Sequence, residues 1–295
     1  MLILPNDEIV LGISGGRDSV CLALLLENFR AKIPFSVRWV HFNHKARQTA
    51  DRDQDFVEQL ATSTGNKLEV FVRHFSKDTA DFQNEARQWR LDNMKKVAGS
   101  GGKIALGHHQ DDLIETFLWK LSRGSSLLGL NAMKRRTDNV IRPLLGTSRN
   151  AITEWLFNQG QSWVDDESNE TKAYTRNIIR HELVKKFEEL FGESFKSKIV
   201  GIVNDIELIE EDFNHNTKDL SERKDLDFKE IEALPKYYGR EAVSNWLVRN
   251  GFYNVDRQRI EIIHNLILSG TGGWQIDVGK GACVFGKNKI AKIIR

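Results

Sequence analysis

Short runs of β-branched and aromatic residues alternate with helical patterns along the first half of the chain. Strands are predicted at 9–13, 36–42, 68–72, 103–106 and 140–145. Apolar residues at helical spacing predict helices at 19–29, 51–63, 82–98, 111–121 and 149–158. This alternation is typical of βαβ units and predicts an α/β fold with a doubly wound, mainly parallel sheet. Ligands of such sheets bind beyond the carboxyl ends of the strands.

The pattern changes in the last third of the chain. Helical periodicity continues for a long stretch after Tyr174, and glycines between short apolar runs predict a hairpin or small sheet at 270–294. We therefore predict an α/β domain at 1–190 and a smaller, mainly helical domain at 191–295. Because the end of the second domain is basic, it is expected to contact a polyanion.

Composition narrows the class of protein. With 40% hydrophobic and 28% charged residues, the chain is typical of folded globular proteins. A formal net charge of +2 excludes a histone-like polycation but not a local basic patch. The two cysteines, Cys21 and Cys283, cannot form a disulfide framework, which favours a reducing, cytoplasmic location. The sequence predicts neither a secretory signal nor a membrane-spanning segment.

A glycine-rich loop joins the first predicted strand to the first predicted helix. Its sequence is Ser14-Gly15-Gly16-Arg17-Asp18-Ser19. The glycines let the backbone approach an anion closely, the helix start supplies free N–H groups, and the serine hydroxyls add donors. The loop is therefore predicted to bind phosphate. Asp18 would repel a phosphate unless a cation such as Mg²⁺ lies between them, and a simple helix cap is the alternative.

A second polar cluster lies where the fourth predicted strand meets its helix. It comprises Gly107, His108, His109, Gln110, Asp111, Asp112 and Glu115. Asp111 and Asp112 precede Glu115 by four and three residues, so the carboxylates can share one helix face. Such a face suits a cation, either Mg²⁺ or the ammonium group of an amine substrate. The alternative is that acidic residues simply favour a helix N-terminus.

These segments resemble a known enzyme superfamily. The loop at 14–19 resembles the S-G-G-x-D-S pyrophosphate loop of the N-type ATP pyrophosphatases, the PP-loop superfamily. Further blocks, in the same order and over about residues 9–184, are similar to the bacterial tRNA(Ile)-lysidine synthetase family; they lie at 40–45, 84–90, 108–116, 142–145, 163–169 and 174–180. The resemblance implies an adenine nucleotide alpha hydrolase-like fold for the first domain and tRNA contact for the second.

The resemblance also implies a reaction. ATP would adenylate the 2-carbonyl oxygen of the wobble cytidine in an isoleucine tRNA with a CAU anticodon, releasing pyrophosphate. The ε-amino group of L-lysine would then displace AMP to form a carbon–nitrogen bond. The implied ligands are ATP, Mg²⁺, L-lysine and this tRNA, and a homodimer is left open.

The same resemblance implies roles for individual residues. The implied catalytic residues are Asp18, Asp112 and Glu115. The carboxylates of Asp112 and Glu115 can bind or deprotonate the lysine ammonium. Arg87, Asp112 and Glu115 would bind lysine, and Asp18 and Asp111 would bind the metal. Nucleotide contacts fall to Ser14, Gly15, Gly16, Arg17, Asp18, Ser19, His41, Asn43 and His108, and tRNA contacts to Arg142, Arg176 and Arg180.

Other functions compete with this interpretation. A metal-dependent phosphohydrolase could use the His/Asp cluster of His41, His44, His108, His109, Asp111 and Asp112, but the glycine loop would then be unexplained. A sulfur-transferring PP-loop tRNA-modifying enzyme would need a cysteine pair, whereas Cys21 lies in an apolar helix pattern. A non-catalytic ATP-binding module would give the acidic helix start no purpose. Arg17 either adds a phosphate contact or points outward.

Overall fold

The chain folds into two units, each with its own β-sheet. The computed structural model describes residues 1–45, 49–74, 82–131, 133–164, 178–192 and 194–294. The first unit is Met1–Ile206 and the second is Glu207–Arg295. The domain limits drawn near residue 190, and the roles given to the two domains, stay predictions.

Six strands form the sheet of the first unit. They are β1 (Glu8–Gly12), β2 (Ser36–Asn43), β3 (Leu68–Val72), β4 (Lys103–Ala105), β5 (Arg136–Thr137) and β6 (Val140–Ile141). Their order is β3-β2-β1-β4-β6-β5, and every neighbouring pair is parallel except β5 with β6. The predicted α/β fold with a mainly parallel sheet is confirmed.

Helices cover both faces of this sheet. The helices that begin in this unit are α1 (Arg17–Arg30), α2 (Ala50–Thr64), α3 (Phe82–Ala98), α4 (Gln110–Ser122), α5 (Arg149–Asn158), a π-helical segment (Ile179–Val184), α6 (Lys185–Phe191) and α7 (Ser194–Glu222), within which the unit boundary falls. Ile9 and Leu11 of β1 pack in one core cluster with α1, α2 and α5. Val10, between them, belongs to a second cluster with α3. Because alternate strand residues face opposite sides, the sheet is buried on both faces.

The strand predicted at 140–145 is wrong beyond Ile141. Pro143 has no N–H to donate to a neighbouring strand, and the chain turns there. The Leu145 amide donates to the Arg142 carbonyl (3.2 Å) and the Thr147 amide to the Leu144 carbonyl (2.8 Å). Leu144 and Leu145 are buried, so their apolar character reflects core packing rather than strand pairing.

The strand order of the sheet changes direction at β1, although the strands remain parallel. β2 and β3 lie on one side of β1, whereas β4 pairs with its other side through Val10 and Ile104. The carboxyl ends of two such strands form a topological switch point, where open α/β sheets bind ligands. The glycine loop follows β1 and the His/Asp segment follows β4. Both segments singled out by their sequence therefore begin at this point.

The second unit combines helices with a small antiparallel sheet. Its strands are β7 (Leu226–Asp227), β8 (Trp274–Gly279), β9 (Ala282–Lys287) and β10 (Ile290–Ile294), in the order β7-β10-β9-β8. Its further helices are α8 (Phe228–Glu232), α9 (Lys236–Arg249) and α10 (Arg257–Leu268). The sheet predicted at 270–294 is confirmed, while β7 was not predicted. None of the helices in the described ranges has the length and apolar character needed to span a bilayer.

We predict that Trp39→Ala lowers the free energy of unfolding by about 3–5 kcal/mol. The indole lies in the middle of β2 and has no solvent exposure, so its removal leaves a large cavity. Trp119→Ala, at a site that is 37% exposed, should lower the unfolding free energy by no more than about 1 kcal/mol. Urea unfolding followed by circular dichroism measures both. Equal losses would contradict the placement of Trp39 in the core.

Candidate active site

The glycine loop is braced by its own hydroxyl groups. Ser19 Oγ donates to the Gly16 carbonyl (2.8 Å) and accepts from the Ser14 amide (3.2 Å), and Ser14 Oγ lies 3.1 Å from Ser19 Oγ. Gly15 has φ +85°, a left-handed conformation that favours glycine. Gly16 is the N-cap of α1, so the first amides of α1 have no partner within the helix. The serines shape the loop and these amides are left to bind an anion.

The loop after β4 packs directly against the start of α1. A Cβ atom at Gly107 would lie 3.2 Å from the carbonyl carbon and oxygen of Asp18. His109 Nε2 lies 3.5 Å from Asp18 Oδ2 across the same contact. The structure thus brings the glycine loop and the His/Asp segment together.

His109 is the centre of an acidic cluster. It caps α4: its amide donates to Asp112 Oδ2 (3.0 Å), and the Asp111 amide points at its Nδ1 (3.2 Å). Burial opposes protonation of the ring, but contacts with Asp111 and Asp18 and the charge of Asp112 outweigh it and raise the pKa of His109 to about 9. Nδ1 also lies 3.4 Å from Oδ2 of the Asp111 carboxylate. The predicted nucleotide contacts did not include His109.

Asp18 lies between two cationic groups. Arg17 Nε and Nη2 both lie 3.0 Å from Asp18 Oδ1, and His109 faces the other oxygen. Burial raises the pKa of Asp18, but His109 and Arg17 more than offset this effect and hold it below its ordinary value. The Arg17 side chain is only 14% exposed. The Arg17 guanidinium folds back onto Asp18 in the structure, and its contact with phosphate stays a prediction.

Glu115 and Asp112 bind an internal cation. Arg180 donates from Nε to Glu115 Oε1 (2.5 Å) and from Nη2 to Glu115 Oε2 (3.1 Å). The same Nη2 lies 3.4 Å from Asp112 Oδ1. Glu115 is 2% exposed, and a buried carboxylate of this kind needs a cationic partner. Arg180, which the sequence assigned to tRNA, therefore contacts the two carboxylates assigned to lysine.

A cavity of about 410 Å³ opens beside Glu115. It lies among α4, α5, the π-helical segment, α6 and the start of α7; its lining includes Asp111, Glu115, Arg149, Arg180, Lys185, Glu188 and Lys196. Lys196 Nζ lies 2.7 Å from an oxygen of Asp111 and 2.7 Å from one of Glu188. The other Asp111 oxygen accepts from the Arg149 amide (3.1 Å). Burial raises the pKa of Asp111, but His109, Lys196 and the Arg149 amide together lower it strongly.

Two residues assigned to the nucleotide make contacts within the protein. The buried His41 donates from Nδ1 to the Ile13 carbonyl (2.9 Å), and burial lowers its pKa, so the neutral ring ties β2 to the start of the glycine loop. Asn43 is also buried and donates to Asp51 and Gln54 near the start of α2, each at 2.9 Å. His108 follows β4 and is half-buried. Their nucleotide contacts stay predictions.

The other predicted arginines lie at different places. Arg142 is half-buried and donates to the Lys134 carbonyl (2.9 Å). Burial and the positive charge of nearby Arg87 lower the pKa of Arg142. Arg87 is exposed on α3 and is absent from the lining of the cavity. Arg176 lies outside the described residues. The charge of Arg87 thus acts on Arg142, and its predicted contact with lysine stays a prediction.

The carboxylates differ in how well they fit a metal ion. Mg²⁺ is usually held by one or two carboxylates together with phosphate oxygens and water. Asp18 fits, since it lies at the phosphate loop and its side chain is 31% exposed. Asp111 contacts Lys196 and the Arg149 amide, and its role as a metal ligand stays a prediction. Across the described ranges, no three His, Cys, Asp or Glu side chains are grouped so as to hold a metal ion, and the phosphohydrolase alternative is not favoured.

Known proteins share this sequence pattern. A family model described as a PP-loop domain matches residues 3–187. The tRNA(Ile)-lysidine synthase of Thermotoga sp. (strain RQ2) is 32% identical over 239 residues, which are 79% of this chain and 58% of that protein. The tRNA(Ile)-lysidine synthase of Pseudothermotoga lettingae is 30% identical over 305 residues, covering 96% of this chain and 65% of that protein. This chain spans less than two thirds of the length of either synthase.

A solved structure shares the fold. The U34-tRNA thiolase NcsA from Methanococcus maripaludis with its 4Fe–4S cluster has a TM-score of 0.58 and 16% sequence identity, covering 70% of this chain and 74% of that chain. The family match spans the glycine loop, the acidic start of α4 and Arg180. By that match over more than half of its length, the chain belongs to the PP-loop domain family.

Proposed function

We propose that the protein is a tRNA(Ile)-lysidine synthase, a ligase that uses ATP to join L-lysine to the wobble cytidine of an isoleucine tRNA with a CAU anticodon. The observation that carries the proposal is the contact between a phosphate-binding loop and a buried carboxylate cluster that already binds a cation. The first feature suits a polyphosphate and the second suits the ammonium group of lysine. The similarity to synthases of this name supports the same substrates.

The first step is adenylation of the tRNA. The amides at the start of α1 would bind the pyrophosphate portion of ATP, with Ser14 and Ser19 keeping the loop in shape. The 2-carbonyl oxygen of the cytidine attacks the α-phosphorus, and the bond to the β-phosphate oxygen breaks as pyrophosphate leaves. Asp18 would hold Mg²⁺, which when bound supplies positive charge to the phosphate oxygens. Arg17 would then release Asp18 and remain available to a phosphate.

The second step is attack by lysine. Its ε-amine bonds to C2 of the cytidine while the C2–oxygen bond breaks and AMP leaves. The amine must be neutral to attack, so Glu115 or Asp112 would accept its proton. The hydrogen bonds from Arg180 to these residues support this role, because an ammonium group can occupy the same oxygens when the guanidinium moves. Arg180 would then be free to contact phosphate.

The tRNA would lie across the same sheet edge. Arg87 and Arg142 place two adjacent positive charges there, an arrangement that suits a phosphate backbone better than a single carboxylate. We assign both to the tRNA, together with Arg176. The proposal places the enzyme in the cytoplasm and leaves a homodimer open.

A cysteine-dependent sulfur transfer is less consistent with the structure. Burial and the charge of Asp18 raise the pKa of Cys21 to about 12, so its thiol stays protonated and a poor nucleophile. Cys283 lies on β9 of the other unit. The two cysteines therefore do not form a reactive pair at the phosphate loop.

The proposed reaction has a defined set of products. Protein incubated with ATP, Mg²⁺, L-lysine and an isoleucine tRNA transcript should release AMP and pyrophosphate in equal amounts and add lysine to the tRNA. A transcript in which another nucleotide replaces the wobble cytidine of the CAU anticodon should be inactive. Product nucleotides are measured by chromatography and the tRNA by mass spectrometry. Release of ADP or phosphate, or turnover that needs neither lysine nor tRNA, would contradict the proposal.

Asp18→Asn should reduce pyrophosphate release at least about 100-fold, because the variant loses the charge that holds a cation against the phosphates. Asp55→Asn, an equivalent change at an exposed position of α2, should retain full activity. Initial rates of pyrophosphate release at saturating ATP compare the two variants. Near-normal activity of Asp18→Asn would remove Asp18 from the metal role.

Glu115→Gln should raise the KM for lysine at least about tenfold, since a neutral amide binds an ammonium group less strongly than a carboxylate does. Pyrophosphate release in the absence of lysine should change little, because adenylation does not use this group. Glu154→Gln, on the exposed side of α5, is the matched control. An unchanged dependence on lysine concentration would refute the assignment of Glu115.

A further inference from the structure

The charges around the cavity beside Glu115 are not all neutralised by one another. Its lining combines four basic side chains, Arg149, Arg180, Lys185 and Lys196, with three acidic ones, Asp111, Glu115 and Glu188. Arg180 binds Glu115, and Lys196 binds both Asp111 and Glu188. The three carboxylates are thus engaged by two of the cations.

Among the described residues of the lining, Arg149 and Lys185 are the basic side chains without an ion pair; Lys185 is exposed, whereas Arg149 is half-buried. Within the part of the chain that the structure describes, its guanidinium makes neither a hydrogen bond nor an ion pair, although the side chain is half-buried. Burial and the positive charges of Arg17 and Arg180 lower its pKa, and the charges of Asp18 and Asp111 offset this only in part. Arginine stays protonated in proteins, so this side of the cavity attracts an anion.

The backbone of Arg149 is held in place from two sides. Arg149 is the first residue of α5, and the Ser148 hydroxyl caps that helix by accepting from the Ala151 amide (3.2 Å). The Arg149 amide donates to Asp111 on α4. The guanidinium is therefore carried by a fixed backbone at the edge of the cavity, as expected of a residue that positions a ligand.

The chemistry of the lining favours a carboxylate over a polyphosphate. Asp111, Glu115 and Glu188 would repel a group with several negative charges, and the amides at the start of α1 already provide a phosphate site. An amino acid with a second amine carries one negative and two positive groups, which complements one unpaired guanidinium near several carboxylates. The volume, about 410 Å³, is in the range of small-molecule pockets.

We propose that Arg149 binds the α-carboxylate of the amino acid whose side-chain amine is directed to Glu115. The planar guanidinium can hold both carboxylate oxygens at once, which fixes the orientation of the substrate as well as its affinity. This inference rests on the proposed function and makes Arg149, not Arg87, the residue that distinguishes an amino acid from a simple diamine.

The test compares L-lysine with 1,5-diaminopentane, which has the same terminal amine but no carboxylate. Arg149→Gln should raise the KM for lysine at least about tenfold and leave the inhibition constant of diaminopentane within about twofold of its starting value. Arg149→Lys, which keeps the charge, should recover part of the affinity for lysine. Arg30→Gln, in the last turn of α1, is the control and should change neither constant.

Other outcomes would overturn the inference. An unchanged KM for lysine excludes Arg149 from the substrate site, and an equal loss of affinity for both amines indicates a structural effect. A higher KM for ATP, with the KM for lysine unchanged, would show that Arg149 binds nucleotide phosphate instead. Should the unmodified protein form no product, the proposed function fails. Calorimetric titration with L-lysine then decides the role of Arg149: a tenfold weaker affinity in Arg149→Gln supports it, and equal affinities overturn it.

Discussion

The contact between Gly107 and the backbone of Asp18 is the constraint on which the rest of the site depends. It is possible because Gly107 has no Cβ atom, which would lie 3.2 Å from the Asp18 carbonyl. Through this contact the loop after β4 lies beside the loop after β1, and His109 reaches Asp18. A phosphate-binding helix start and an acidic helix start thereby share one corner of the sheet. Under the proposed function, both loops are needed, one for the polyphosphate and one for the lysine ammonium.

The carboxylates of this corner are neutralised by the protein itself. Arg17 faces Asp18, Lys196 faces Asp111, and Arg180 faces Glu115. Removing one partner of a buried ion pair generally costs about 3–5 kcal/mol, because the other charge is left in a poorly solvated place. These internal ion pairs therefore keep the carboxylates of the site neutralised without substrates. Under the proposed function, both Mg²⁺ and the lysine ammonium enter by replacing an internal cation.

The sequence predicted those elements and motifs that a contiguous run of residues determines. Apolar periodicity located the strands and helices of the first unit, and the limits of β3, α3 and α5 match those of the structure. The strand prediction at 140–145 was wrong beyond Ile141, because buried Leu144 and Leu145 give the same apolar pattern as residues of a strand. The glycine loop and the acidic start of α4 were found because each is a contiguous run with a distinctive composition.

Contacts between distant residues could not be predicted in this way. Arg180 and Glu115 are separated by 65 positions, and Lys196 and Asp111 by 85, and no periodicity connects them. Arg180 therefore looked like a solvent-exposed cation suited to tRNA. Arg149 gave no signal at all, because a single arginine after a helix cap is common, and its significance lies in the absence of a counter-ion among the described residues. The nucleotide contacts predicted for His41 and Asn43 remain predictions, and the lysine contact predicted for Arg87 is untested, although we propose a tRNA contact for it instead.

A crystal structure with an ATP analogue that cannot be cleaved between its α- and β-phosphates tests the central claim most directly. The β- and γ-phosphate oxygens should lie about 3 Å from the amides at the start of α1, with the α-phosphate directed towards the side of Asp112 and Glu115. An empty glycine loop, with the polyphosphate bound elsewhere, would contradict the assignment of this corner of the sheet as the active site.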